Sequence, residues 1–200
     1  EEAAAVATRL AGPFAVKVQT PDLSHKTDAG GVRLGVPPEQ VPQAYEDTVG
    51  AVRAAHPDAR VDGVLVQEMA GPGVELVVGV EGAANDYPPV VTVGLGGVTT
   101  ELYADVVSAL APVSPERVRA LLRRLRGWPL LDGYRGRTRV DVDAAAEAVS
   151  ALSRCSVALG PRLVELEVNP LVVHERGTTA VDLLLRQVVP TNAEPSTKEV

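Results

Sequence analysis

The stretch from Phe14 to Gly31 constrains this chain more than any other. A short, mostly apolar strand contains one lysine, Lys17, and leads into a polar turn that holds His25 and ends in Gly30 and Gly31. A lysine inside an apolar strand is costly unless an anion meets it, and paired glycines let backbone N–H groups converge on phosphate oxygens. Histidine can receive or pass on a group near neutral pH. The stretch therefore predicts a phosphate-handling site in which His25 takes part in the chemistry.

Composition narrows the class of protein. A chain of 200 residues, 46% of them hydrophobic, can bury a core as one domain or as two small lobes. The net charge of −7 argues against a general nucleic-acid binder. The single cysteine excludes a disulfide framework and a thiolate metal site. No apolar run approaches membrane length and no signal-peptide pattern opens the chain, so we expect a soluble cytoplasmic protein without membrane contacts.

The order of elements predicts an α+β fold in two lobes, because strands and helices alternate without the regular rhythm of a doubly wound sheet. Expected strands cover residues 14–19, 32–36, 61–69, 74–80, 90–93, 163–173 and 178–188. Expected helices cover residues 1–11 and 37–56, a segment starting at Ser114, and a segment capped by Asp143 that buries Cys155. We place residues 1–69 in a partial first lobe, 70–188 in a second lobe and 189–200 in a flexible tail.

Two common nucleotide motifs are missing from the sequence. It contains neither a Gly-x-x-x-x-Gly-Lys-Ser/Thr loop nor a strand-to-helix Gly-x-Gly-x-x-Gly motif. An alternative is a nucleotide held between two lobes, with the backbone around Glu68 and Met69 reading the adenine edge. Glu75 would then lie within reach of the ribose, although on its own it is better explained as an ordinary surface glutamate.

The C-terminal hairpin carries a second polar pattern. Alternation along residues 163–173 puts Glu165, Glu167 and Asn169 on one face of the strand. The other face is apolar and holds Val164, Leu166 and Val168. Asp182 lies in an otherwise apolar strand, and a carboxylate in such a strand usually has a polar partner. If the chain turns near Gly177, Asp182 falls opposite Asn169. The oxygens of these side chains would suit magnesium. A solvated polar face explains the same pattern at least as well.

Seven segments, in order along residues 1–188, resemble the ATP-grasp subunit of ADP-forming acyl-CoA synthetases, which are relatives of the succinyl-CoA synthetase beta chain. The matching segments are Ala-Val-Lys-Val at 15–18, Ser-His-Lys-Thr-Asp-Ala-Gly-Gly-Val at 24–32, Val-Leu-Val-Gln-Glu-Met at 64–69, Gly-Val-Glu-Leu-Val-Val-Gly-Val at 73–80, Gly-Leu-Gly-Gly-Val at 94–98, Gly-Tyr-Arg-Gly at 133–136 and Glu-Val-Asn-Pro-Leu at 167–171. Each match is weak alone, and the ordered set is specific.

The resemblance implies an ATP-grasp fold of two lobes with the nucleotide between them, and it implies how ATP or ADP is bound. Lys17 would contact the phosphates, with the glycine pair 30–31 beside it. Glu68 and Met69 would form the adenine hinge, and Glu75 would bind the ribose.

The same resemblance implies a metal site and a reaction. Asn169 and Asp182 would hold Mg²⁺, with Glu167 beside them, and His25 would relay phosphate. The implied reaction makes acyl-CoA, ADP and phosphate from a carboxylic acid, CoA and ATP. It requires a CoA-binding alpha subunit or domain, and hence a hetero-oligomer.

Three departures from the family pattern bear on the function. Two of them, the start of the sequence and Ala109, favour an alternative function, whereas Lys17, His25, Asn169 and Asp182 favour the enzyme. The family's opening strand and helix precede the point where this sequence starts, Ala109 stands where an arginine is expected, and Glu167 replaces a common aspartate. The alternative is a degenerate ATP-grasp module with a regulatory or interaction role in a larger assembly, such as a protein acyltransferase fusion.

Overall fold

A computed structural model describes residues 10–23, 26–82, 87–97 and 104–188. The chain divides into two compact units, Glu1–Ala70 and Gly71–Val200. The helix expected over residues 1–11 lies outside the described residues except for its last two, which are not helical, and the expected tail at 189–200 also lies outside them. Within the described ranges, no helix is long and apolar enough to cross a membrane.

The first unit is a three-stranded antiparallel sheet with one long helix. The strand order is β2-β1-β3, where β1 is Phe14–Gln19, β2 is Val32–Val36 and β3 is Gly63–Glu68. Helix α1, Val41–Ala55, follows a short 3-10 turn at Pro38–Gln40.

Alternation in β1 explains how this unit packs. Phe14 and Val16 pack in one cluster with the start of α1, and Val18 packs in a second cluster with the end of α1. The helix ends at His56, whose N–H donates to the carbonyl of Val52 at 2.8 Å before Pro57 interrupts the pattern. The helix expected over residues 37–56 is therefore confirmed, with its α-helical part beginning at Val41 after the 3-10 turn.

The second unit is a six-stranded sheet covered on one face by helices. Its strands are β4 Val74–Glu81, β5 Val90–Leu95, β6 Val106–Leu110, β7 Leu163–Val173, β8 Thr178–Ala180 and β9 Leu183–Gln187, in the order β6-β5-β4-β7-β8, with β9 also paired to β7. Its helices are α2 Pro115–Leu122, α3 Trp128–Leu131 and α4 Val142–Leu159. The core lies where alternate residues of β4, such as Leu76 and Val78, meet Leu122 of α2 and Val149 of α4.

Helix α4 differs from its expected form at both the cap and the buried face. Asp141, not Asp143, is the N-cap, because its carboxylate accepts the N–H of Ala144 at 2.9 Å. Cys155 is exposed rather than buried. The buried positions include three serines, which donate to backbone carbonyls of Val113, Ser150 and Ser153. Because part of the buried face of α4 consists of serines, the spacing of apolar residues alone could not predict it.

The edges of the larger sheet also depart from expectation. Strand β6 was not expected, and the single strand expected at 178–188 is broken between β8 and β9 at Val181 and Asp182. The turn at Gly177, with φ +76°, closes the hairpin where the sequence placed it.

Candidate functional site

Lys17 lies in the central strand of the first unit. It pairs with Val32 of β2 on one side and Leu65 of β3 on the other. Strand alternation puts its side chain on the face opposite to Phe14 and Val16, and only 7% of the residue is exposed. The lysine is thus a nearly buried cation on the face of the sheet away from α1.

The glycine pair after the candidate histidine is a compact turn. His25 itself lies outside the described residues. Gly30 has φ +70° and its N–H donates to the carbonyl of Thr27 at 3.0 Å, while the N–H of Gly31 donates to the carbonyl of Lys26 at 2.8 Å. Both N–H groups are therefore paired within the turn, so the expectation that they converge on phosphate does not describe this geometry.

The end of β3 is hydrogen-bonded to the segment that precedes β1. One carboxylate oxygen of Glu68 accepts the N–H of Ala11 at 2.8 Å. The N–H of Met69 donates to the carbonyl of Pro13 at 3.1 Å. In the segment expected to bind adenine, the Met69 N–H is therefore already used in a hydrogen bond within the chain, and Met69 is 38% exposed.

Gln67, which the sequence did not indicate, is relevant to ligand binding. Among the described residues, its Oε1 is the buried side-chain oxygen or nitrogen without a hydrogen-bond partner. Gln67 pairs with Ala15 in β1, and therefore lies on the same face of the sheet as Lys17. A buried acceptor without a donor costs about 1–3 kcal/mol, so a ligand with an N–H or O–H group would stabilise this face.

In the second unit, Glu75 lies beside the turn Gly96-Gly97 that follows β5. Its carbonyl accepts the N–H of Gly96 at 2.7 Å. A Cβ on Gly97, where φ is +90°, would lie 3.7 Å from Oε2 of Glu75. The structure thus brings together two features that the sequence showed separately, an exposed carboxylate at the start of β4 and a turn without side chains.

Asp105 stabilises the segment that packs against the residue before this turn, and the sequence analysis did not indicate it. Its carboxylate accepts the N–H of Arg126 at 2.9 Å and that of Gly127 at 2.8 Å. Gly127 in turn packs against Leu95, with no room for a Cβ. These bonds span more than twenty residues, so no local pattern could have revealed them.

The C-terminal hairpin brings the three candidate metal ligands together. The N–H of Asn169 donates to the carbonyl of Asp182 at 3.2 Å, as expected from the hairpin register. The Asn169 side-chain amide donates to Oε1 of Glu167 at 3.0 Å. One carboxylate oxygen of Asp182 accepts the N–H of Leu183 at 3.1 Å.

Two details of the hairpin differ from the sequence analysis. The strand after Asp182 is not buried: Leu183 is 58% exposed, so burial does not give the carboxylate its partner. Val164 is 43% exposed and does not join the apolar face. The cause is an irregularity in the β7–β9 register between Leu163 and Glu165, which breaks the alternation.

The chemistry of this oxygen set fits a magnesium ion. Among the ion pairs of the described residues, none involves Glu167 or Asp182, whereas Glu165 on the same strand pairs with Arg186 at 3.3 Å. No group of three His, Cys, Asp or Glu residues suited to a metal occurs in the described ranges. Two carboxylates and an amide would supply part of the oxygen ligands of an ion that keeps waters and shares phosphate oxygens.

Ala109, at the position of the expected arginine, lies in β6. It pairs with Val91 and packs against the core of the second unit. Val91 is 2% exposed, so the residue occupies the helix-covered face of the sheet.

Comparison with known proteins identifies the family. A family model described as an ATP-grasp domain matches residues 1–186. The chain belongs to the ATP-grasp domain family. It is 34% identical over 182 residues to acetate–CoA ligase [ADP-forming] I of Archaeoglobus fulgidus, covering 91% of this chain and 26% of that protein. It is 31% identical over 183 residues to the beta subunit of acetate–CoA ligase [ADP-forming] I of Pyrococcus furiosus, covering 91% of this chain and 78% of the subunit.

A solved structure shows the same fold. The acetyl-coenzyme A synthetase 1 of Ca. Korarchaeum cryptofilum, in complex with coenzyme A, Ca-AMPCP and HgCl+, matches with a TM-score of 0.87 and 32% identity, over 94% of this chain and 81% of that one. This ATP-grasp domain spans about a quarter of the length of the first-named relative and about three quarters of the beta subunit.

Proposed function

We propose that this ATP-grasp domain is the nucleotide-binding part of an ADP-forming acyl-CoA synthetase. The observation that carries the proposal is the set of side-chain oxygens of Glu167, Asn169 and Asp182 in the C-terminal hairpin. None of these side chains takes part in an ion pair among the described residues. The chain as a whole is similar to ADP-forming ligases. The reaction would convert a carboxylic acid, CoA and ATP into acyl-CoA, ADP and phosphate.

In the first unit, Lys17 would bind the nucleotide phosphates, because it is the lysine on the face of the sheet away from α1, the face that also carries Gln67. Glu68 and Met69 would border the base, and Gly30 with Gly31 would shape the turn next to the phosphates. The unsatisfied Oε1 of Gln67 supports a ligand on this face, because adenine and ribose both carry donor groups.

In the second unit, Glu75 would accept hydrogen bonds from the ribose hydroxyls, with the glycine turn leaving space beside its carboxylate. Asn169 and Asp182, with Glu167, would hold Mg²⁺. When bound, the ion would neutralise phosphate charge and orient the phosphoryl group. In the Korarchaeum structure, the bound nucleotide analogue carries a divalent cation.

His25 would be the residue that carries the phosphoryl group. Its ring nitrogen would attack the γ-phosphorus of ATP, the bond to the bridging oxygen would break, and ADP would leave. The phosphohistidine would then pass its phosphoryl group toward the carboxylic acid at a CoA-binding partner. We therefore propose a hetero-oligomer with an alpha subunit or domain that binds CoA, as the name of the Pyrococcus beta subunit implies for that protein.

Transfer of label from γ-labelled ATP tests the phosphoryl step. The chain has three histidines, so His56→Ala, which keeps the backbone N–H that caps α1, is a matched control. We expect acid-labile label on the wild-type chain and on His56→Ala, and none on His25→Ala. Equal labelling of His25→Ala would show that another residue carries the phosphoryl group. Nucleotide binding without any labelling of the wild-type chain would favour a non-catalytic module.

A further inference from the structure

The ring of His174 joins two separate segments of the second unit. It lies directly after β7, and its Nδ1 is 2.9 Å from the carbonyl oxygen of Pro72. Its Nε2 is 2.9 Å from Oγ1 of Thr179. A carbonyl can only accept, so Nδ1 must carry the hydrogen, and in the neutral ring Nε2 accepts the Thr179 hydroxyl.

The ring is mounted on a rigid turn. The backbone N–H of His174 donates to the carbonyl of Gly177 at 3.1 Å, and its carbonyl accepts the N–H of Asp141 at 2.7 Å. The carboxylate of Asp141 also accepts the N–H of Gly177 at 2.9 Å. Three hydrogen bonds thus fix the backbone from which the ring extends.

The segment that the ring holds is the entry into β4. Residues 71–73 open the second unit, and Gly73 packs so closely on β7 that a Cβ would lie 2.5 Å from the carbonyl oxygen of Val173. A Cβ on Gly71 would lie 3.9 Å from Cε1 of the His174 ring. Glu75 follows as the second residue of β4, at a strand end, where hydrogen bonds open most easily.

We propose that His174 is a positioning residue for nucleotide binding. Its hydrogen bond to Pro72 holds the entry of β4, and with it Glu75, in place relative to the strand that carries Glu167 and Asn169. Strands β4 and β7 pair with Glu75 opposite Val172. His174 stabilises the end of this pair at which Glu75, the proposed ribose ligand, is located. The inference rests on the proposed function, because it assumes that Glu75 contacts nucleotide.

Two substitutions separate the two contacts of the ring. The side-chain nitrogen of asparagine lies near the position of Nδ1, so His174→Asn keeps the donor to Pro72 and loses Thr179. The nitrogen of glutamine lies near the position of Nε2, so His174→Gln loses Pro72. Thr179→Val removes the Thr179 contact by itself.

The measurement is calorimetric titration with Mg-ADP, together with a thermal melt of each variant. Loss of the neutral hydrogen bond that holds the entry of β4 should weaken nucleotide binding roughly 3- to 10-fold. We expect this loss in His174→Gln, while His174→Asn and Thr179→Val bind as the wild type does. A merely structural role would lower the affinity in step with the melting temperature in all three variants.

The possible outcomes separate the two proposals. Equal affinity of His174→Gln and His174→Asn for Mg-ADP, whether both weak or both unchanged, would overturn the positioning role and leave the nucleotide site intact. A folded wild type that does not bind Mg-ADP would overturn the proposed function and the positioning role together.

Discussion

The cap of α4 provides a quantitative test of how this helix is held in the second unit. Asp141 accepts the N–H of Ala144 in the first turn of the helix and the N–H of Gly177 in the β7–β8 turn, each at 2.9 Å. Loss of an N-cap costs about 0.5–2 kcal/mol, and loss of a hydrogen bond to a charged acceptor costs about 1.5–3 kcal/mol. Because Asp141 is only half-buried, we expect Asp141→Ala to lower the free energy of unfolding by roughly 2–4 kcal/mol.

Urea denaturation followed by circular dichroism measures this change. With a urea dependence of about 2 kcal/mol per molar, the midpoint should fall by roughly 1–2 M. Asp143→Ala is the matched control, because Asp143 lies in the same turn with a side chain 79% exposed and an ion pair to Arg119. Its loss should cost less than about 1 kcal/mol. Equal destabilisation by the two variants would refute the assignment of the cap.

The same carboxylate predicts a pH dependence of stability. The N–H groups of Gly177 and, next, Ala144 hold the pKa of Asp141 below its ordinary 3.8. A lowered folded-state pKa means that the carboxylate stabilises the fold above the ordinary value and that this contribution is lost as pH falls through the folded-state pKa. The stability gap between wild type and Asp141→Asn should therefore be constant near neutral pH and shrink in strong acid. A gap that widens on acidification would contradict this reasoning.

Two further substitutions test close packing. Gly73→Ala places a Cβ 2.5 Å from a backbone oxygen of Val173, so it should destabilise the second unit by about 1–3 kcal/mol in a thermal melt. The control is Gly79→Ala within β4, where a Cβ has no neighbour within 4 Å and should cost little. Ala109→Arg, which restores the residue expected from the family, should lower the melting temperature, since the position packs against the core; an unchanged melt with stronger nucleotide binding would show that the arginine belongs there.

The features that were predictable from the sequence are those encoded by short-range patterns. Alternation in β7 and the turn at Gly177 together set the hairpin register, and that register places Asn169 opposite Asp182. Likewise, a proline-rich start and a Pro57 stop define α1. In both places, the spacing of a few neighbouring residues decides the structure.

The features that were not predictable depend on contacts between distant residues. The carboxylate of Asp105 binds N–H groups 21 and 22 residues away, and His174 contacts Pro72 across 102 residues. Sequence patterns do not show such side chain to backbone bonds. The glycine pair at 30–31 shows a different limit, because glycine permits a turn without deciding whether its N–H groups face a ligand or the chain.

The central claim is that the hairpin oxygens hold magnesium for a bound nucleotide. Calorimetric titration of the chain with ADP, with and without Mg²⁺, tests it most directly in wild type, Asp182→Ala and Glu165→Gln. Glu165 is the control, since it lies on the same strand but pairs with Arg186. We predict magnesium-dependent binding in wild type and Glu165→Gln and its loss in Asp182→Ala. Binding that is indifferent to magnesium, or that survives unchanged in Asp182→Ala, would contradict the account.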